Sequence, residues 1–189
     1  MIILADTKHG KKAEDKIKEW LDRPDDGYSF DRIPDQMTGF YLVSRNICDF
    51  TCYKYPYIYY IESKCSYEDR MPFNMLTDTQ RDGLLLKSQI PGCYGLVIFL
   101  FAEHKRAFIF NIKDIAEFID PTRSLSDMQY ALQKKGEVIS QLKVKSVNIK
   151  KEAKWGIPHW EIQTVPNNRK QFLDYVGDLP DFDDELRDL

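Results

Sequence analysis

No apolar run in this chain approaches the roughly 18–20 residues that a membrane-spanning helix requires, so a protein of that kind is not expected. The opening Met1-Ile2-Ile3-Leu4 is too short, and too soon followed by charge, to serve as a signal peptide. A soluble, cytoplasmic protein with no membrane partner is the expectation. Cysteine is sparse: Cys48, Cys52, Cys65 and Cys93 give neither a CxxC pair nor a zinc knuckle. On a strand, Cys48 and Cys52 share a face with Phe50, which reads as packing. The three histidines, His9, His104 and His159, are far apart and lack metal-ligand spacing. There is no glycine-rich phosphate loop and no serine in a nucleophile elbow. P-loop, serine-hydrolase and histidine–zinc chemistries are therefore set aside.

What is present describes one folded unit. At 189 residues with 43% hydrophobic content the chain can bury a sizeable core, and it is globular rather than disordered. Its net charge of −3 is unevenly spread. Seven acidic residues and one arginine fall between Asp174 and Leu189, so that stretch carries −6 and the preceding 173 residues carry +3. Lysines gather at Lys8, Lys11, Lys12, Lys16 and Lys18, and again at Lys143, Lys145, Lys150, Lys151 and Lys154. Such patches suit phosphate contacts as well as they suit plain solvated faces. The division expected is a single folded domain over 1–173 followed by an acidic tail over 174–189.

Periodicity gives the order of elements. Ala13, Ile17, Trp20 and Leu21 predict a helix over Gly10–Arg23, closed by Pro24. Strands are predicted at Tyr28–Ile33, Phe40–Val43, Ile47–Tyr53 and Tyr57–Cys65, the last two joined by a turn at Lys54-Tyr55-Pro56. Thr77-Asp78-Thr79-Gln80 has the form of a capping box opening a helix to about Gln89. The almost unbroken apolar run Tyr94–Phe101 predicts a central strand buried on both faces. Ala107–Asn111 follows as a strand, then helices at Ile112–Ile119 and Ser126–Lys135, and peripheral strands within Glu137–Lys150. This order predicts an α/β layer built on a mixed sheet.

Chemistry concentrates between Asp49 and Lys64. Asp49 stands thirteen positions before Glu62-Ser63-Lys64, inside runs of aromatic and β-branched residues. Period-two alternation places Tyr60, Glu62 and Lys64 on one face of a strand and Tyr59, Ile61 and Ser63 on the other. A hairpin with the preceding strand brings Asp49 opposite. Two carboxylates so placed suit a hard divalent cation; Mg²⁺ is the natural choice, with Mn²⁺ a possible substitute. Lys64 would orient a water and offset charge developing on a phosphate. The plain alternative is a cross-strand charge pair, but burying these charges without a function costs several kcal/mol unless they are well paired. Gln80 either completes the capping box with Thr77 or points into this site to hold Lys64 or a water. Glu14 either pairs with Lys18 along its helix or contacts a metal-bound water from behind the metal's own ligands.

Taken together these residues resemble the PD-(D/E)xK nuclease superfamily, and within it the RecU family of Holliday-junction resolvases. The catalytic Asp, Glu and Lys of that family fall on Asp49, Glu62 and Lys64. Met71-Pro72-Phe73 leading to Thr79-Gln80, Gly10–Glu14 in the first helix, and Arg123-Ser124-Leu125 also match in order, over roughly residues 8–140. The resemblance implies a restriction-endonuclease-like core, a mixed β-sheet flanked by helices. It also implies a homodimeric, Mg²⁺-dependent endonuclease nicking four-way DNA junctions, with Glu14 and Gln80 joining the catalytic set. Thr79 stands where the family has a histidine, and the stretch 28–46 is shorter than the family's stalk. Two rival expectations are a duplex or nicking endonuclease on the same core, and a DNA-binding module on a retired nuclease scaffold.

Overall fold

The computed structural model describes residues 14–19, 21, 27–34, 46–118 and 146–163. The expected strand at Phe40–Val43, the helix at Ser126–Lys135 and the acidic tail lie outside these residues, as does the boundary at 173. Within them the chain is a mixed α/β structure. A six-stranded sheet has the order β1 (Tyr28–Arg32), β2 (Phe50–Lys54), β3 (Tyr57–Ser66), β5 (Cys93–Phe101), β6 (Arg106–Asn111), β8 (Trp160–Gln163). Neighbours are antiparallel except β3 and β5, which run parallel. A small second sheet pairs β4 (Arg70–Pro72) with β7 (Ser146–Asn148). The helices are α1 (residues 14–19), α2 (Asp78–Lys87) and α3 (Ile112–Phe118). No helix among the described residues is long and apolar enough to cross a membrane.

Alternation along the strands divides the core in two. Phe30, Phe50, Cys52, Tyr59, Ile61, Leu96, Ile98 and Ile109 form one cluster with Ile17 and Leu21 of the first helical segment. Val97, Phe99, Phe101, Phe108 and Phe110 form the other with Leu84 and Leu85 of α2 and Ile112 and Ile115 of α3. As expected, β5 feeds both clusters and is buried along Gly95–Phe101.

A parallel β3–β5 pair requires a crossover, and α2 lies within it. Two glycines let the helix settle closely. A Cβ on Gly95 would stand 2.7 Å from Ser88 Oγ and 2.8 Å from Leu84 O, and Gly95 N–H donates to that same Ser88 hydroxyl at 2.7 Å. A Cβ on Gly83 would stand 2.4 Å from Ile47 Cγ2. Thus α2 rests directly on the segment that leads into Asp49.

Several boundaries differ from expectation. The second strand begins at Phe50, so Ile47–Asp49 lie outside the ladder. Alternation therefore does not reach back to Cys48, which packs in the α2-side cluster, while Phe50 and Cys52 pack in the opposite one. The helix after Thr77 ends at Lys87 rather than Gln89. Of the strands expected within Glu137–Lys150, the described part is strand only over Ser146–Asn148, and Ile149–Lys154 winds into 3₁₀ turns.

Candidate active site

Four of the five expected side chains meet where β2 stops pairing and β3 continues. On β3, Tyr59 and Ile61 belong to one core cluster while Tyr60 packs against the other, so Glu62 and Lys64 face α2. Their parallel partners on β5 are Val97 and Phe99. Apolar flanks of this kind explain why Glu62 is only 1% exposed. Lys64 remains partly open to solvent at 18% and lays its Nζ 2.6 Å from Glu62 Oε1.

Gln80 closes the capping box and also enters the site, where its partner is Glu62 rather than the expected Lys64. Its Oε1 accepts from the Thr77 backbone N–H at 3.1 Å, and its own N–H donates to Thr77 Oγ1 at 3.3 Å, closing the capping box. The remaining amide nitrogen, Nε2, donates to Glu62 Oε1 at 2.5 Å. Helix initiation thereby fixes the rotamer of the group that holds the carboxylate.

Asp49 is set by backbone on both sides. Its N–H donates to Ile61 O at 3.0 Å, and its carbonyl accepts from Ile33 N–H at 2.7 Å. Because the β2–β3 ladder ends at the Phe50–Ile61 pair, the Ser63 N–H has no strand to bond. The Asp49 carboxylate takes that place: Oδ2 accepts from Ser63 N–H at 2.8 Å and from Ser63 Oγ at 2.6 Å. Sequence reasoning assigned Ser63 to the far face and gave it no part. No pattern in the strand singles it out, because β3 carries a second serine, Ser66, and the hydroxyls of Tyr57, Tyr59 and Tyr60.

Glu14 stands at the edge of this group, where α1 meets the last residue of β1. Its Oε2 accepts from Arg32 Nη2 at 2.6 Å. The contact joins a helix and a strand eighteen positions apart.

Negative charge accumulates here. Burial first, and then the Asp49 charge, raises the Glu62 carboxyl to about 8; the Lys64 ammonium only partly offsets them, and Glu14 adds to the rise. Burial, then Glu62 and Asp49, likewise pushes the Cys48 thiol up to about 12. The Lys64–Glu62 contact and the raised pKa pull in opposite directions. Desolvation wins, so the Glu62 carboxyl stays well above the usual carboxylate range. Both donors, Gln80 and Lys64, converge on Oε1, while Oε2 is buried with no hydrogen-bond partner among the described residues. That oxygen is left for a proton or a metal ion.

An ion such as Mg²⁺ would therefore find Glu62 Oε2 and the Asp49 carboxylate. Among the described residues no group of three or more His, Cys, Asp or Glu side chains forms a ready metal cage. Mg²⁺ does not need one: it keeps several waters and is commonly held by one or two carboxylates together with substrate phosphate. The donor set fits the ion.

No family model matches the sequence, and no curated relative does either. Among solved structures the chain is similar to Hjc, a Holliday junction resolvase from the archaeal hyperthermophile Archaeoglobus fulgidus, with a TM-score of 0.40 and 15% identity over 56% of this chain and 78% of that one. A likeness of that degree carries no argument about function. The side chains must supply it.

Proposed function

We propose that this chain is a metal-dependent endodeoxyribonuclease of the PD-(D/E)xK type that cleaves branched DNA, acting as a Holliday-junction resolvase and as a homodimer. One observation carries the nuclease reading: a buried carboxylate beside Asp49, with one oxygen gripped by Lys64 and Gln80 and the other left bare. Without a ligand such an oxygen is a cost of about 1–3 kcal/mol or more, and occupation by a cation relieves it. Asp49 and Glu62 are the residues that would hold the ion, Mg²⁺ or in its place Mn²⁺. When bound, the ion supplies Lewis-acid activation of a water nucleophile and of the scissile phosphate.

The protein's own part is positioning. Gln80 and Ser63 lock the two carboxylates in place, the apolar β5 neighbours keep bulk water from Glu62, and Glu14 adds negative potential from the rim. Lys64 places its amino group at the solvent-facing side, where charge develops on the phosphate oxygens during displacement. The preference for branched DNA and the dimer are supported by the ordered set Asp49, Glu62-Ser63-Lys64 and Gln80, through the family it resembles. The shortened stretch 28–46 favours a second substrate, linear duplex.

Purified protein with Mg²⁺ should place paired nicks in labelled four-way junctions and leave linear duplex intact. Asp49→Asn and Lys64→Ala should each lower the cleavage rate by about 10²-fold or more while junction binding in a gel-shift assay persists. Equal cutting of duplex would replace the resolvase reading by the duplex one. Wild-type rates in either variant would remove the site assignment.

A further inference from the structure

Lys87 has no part in the chemistry above, yet it is not directed into open water. It lies in the last turn of α2, seven positions after Gln80 and so on the same side of the helix. Gln80 reaches Glu62 from that side; Lys87 lays its Nζ over the ring of Tyr60, 5.4 Å from the centroid. Tyr60 precedes Glu62 by two residues and shares its strand face. The two α2–β3 contacts are thus one side-chain step apart along β3, roughly 7 Å. Lys87 and Tyr60 are both half-buried.

A cation over an aromatic face keeps its charge and its three donors while losing freedom of its stem. The ring fixes where the charge sits. A nucleic-acid strand carries a phosphate at every nucleotide, so a strand with one phosphate at Glu62 and Lys64 brings the next within a comparable step. We infer that Lys87, held by the Tyr60 ring, binds the phosphodiester adjacent to the scissile one on the same strand. This assignment rests on the nuclease reading for the location of the scissile phosphate. Tyr60 acts through Lys87 and is a positioning residue.

The test is the salt dependence of junction binding, followed by fluorescence anisotropy of a labelled four-way junction in EDTA across a KCl series. For the wild type, the slope of log K against log salt counts the phosphates neutralised. Lys87→Gln should reduce that slope by about 0.7–0.9 and weaken binding evenly across junction sequences. The same change at Lys113, exposed on α3, should leave the slope in place and controls for net charge. Tyr60→Phe, which keeps the ring, should retain the wild-type slope, and Tyr60→Leu should move it toward that of Lys87→Gln. Thermal melts show whether each variant is folded. An unchanged slope in folded Lys87→Gln overturns the inference even if the protein cleaves DNA, as does a wild type that binds no junction. A Lys87-dependent slope in a protein that cleaves nothing with Mg²⁺ would instead sink the nuclease reading and leave a phosphate-binding lysine.

Discussion

Glu62 is a carboxyl group whose surroundings favour its neutral form. In the unfolded chain a glutamate titrates near ~4.3, whereas in the folded one Glu62 titrates at about 8 through burial and the Asp49 charge. Between those values the folded chain holds a proton that the unfolded chain has released. Its stabilising contribution is complete below the lower value and is lost as pH rises through the upper one. The metal-free melting temperature should therefore fall from pH 5 to pH 9. Glu62→Gln, which cannot ionise, should reduce that fall by roughly several degrees. A melting curve as pH-dependent in the variant as in the wild type would show that Glu62 is not the group responsible. At this scale the sequence was informative about Asp49, Glu62 and Lys64, because alternation on an aromatic-rich strand forces the acid and the lysine onto one face. It could not separate the two roles of Gln80, since a capping box uses only one end of the amide and leaves the other undetermined. The Glu14–Arg32 contact and the Ser63 hydroxyl were illegible for a different reason. Each depends on where one element ends against another.

The elements themselves are held in register by close approaches that leave no room for a methyl group. An alanine at a helix interior ordinarily improves on glycine by about 0.8–1.0 kcal/mol. At Gly83 the new Cβ would meet Ile47 Cγ2 at 2.4 Å and Cβ at 2.8 Å, and a β-branched side chain has little rotamer freedom with which to retreat. Overpacking of this kind costs about 1–3 kcal/mol, so the clash outweighs the propensity. Gly83→Ala is expected to lower stability in a denaturant titration and, by displacing Ile47 two residues from Asp49, to lower the cleavage rate as well. Ile47→Ala in the same chain should restore part of both, and no restoration would mean that the strain lies elsewhere. The strands at 57–65, 94–101 and 107–111 were visible in the sequence because each carries a run of aromatic and branched residues long enough to outweigh local noise, while the one at 28–33 showed only as a weak alternation. By contrast β4 and β8, with three and four residues, offer too few alternations to register. The early end of β2 pairing was hidden too, because Ile47 and Cys48 are as apolar as the strand they precede.

For the molecule as a whole, the sheet order predicts a gradient of protection. Strand β5 is flanked by β3 and β6 and covered on both faces, whereas β1 and β8 lie at the edges. Amide hydrogen exchange should be slowest along Gly95–Phe101 and fastest in Tyr28–Arg32 and Trp160–Gln163; equal protection at edge and centre would contradict this sheet order. The capping-box glutamine also has a consequence for assembly. Asp49 meets Ser63 across fourteen positions, and Glu62 meets Gln80 across eighteen. Loop-closure entropy grows only slowly with length, and contacts this near in sequence are among the least expensive to form. The cluster of Asp49, Glu62, Ser63 and Gln80 can therefore organise within a single stretch of chain as it collapses, before the more distant β8 strand has docked on β6.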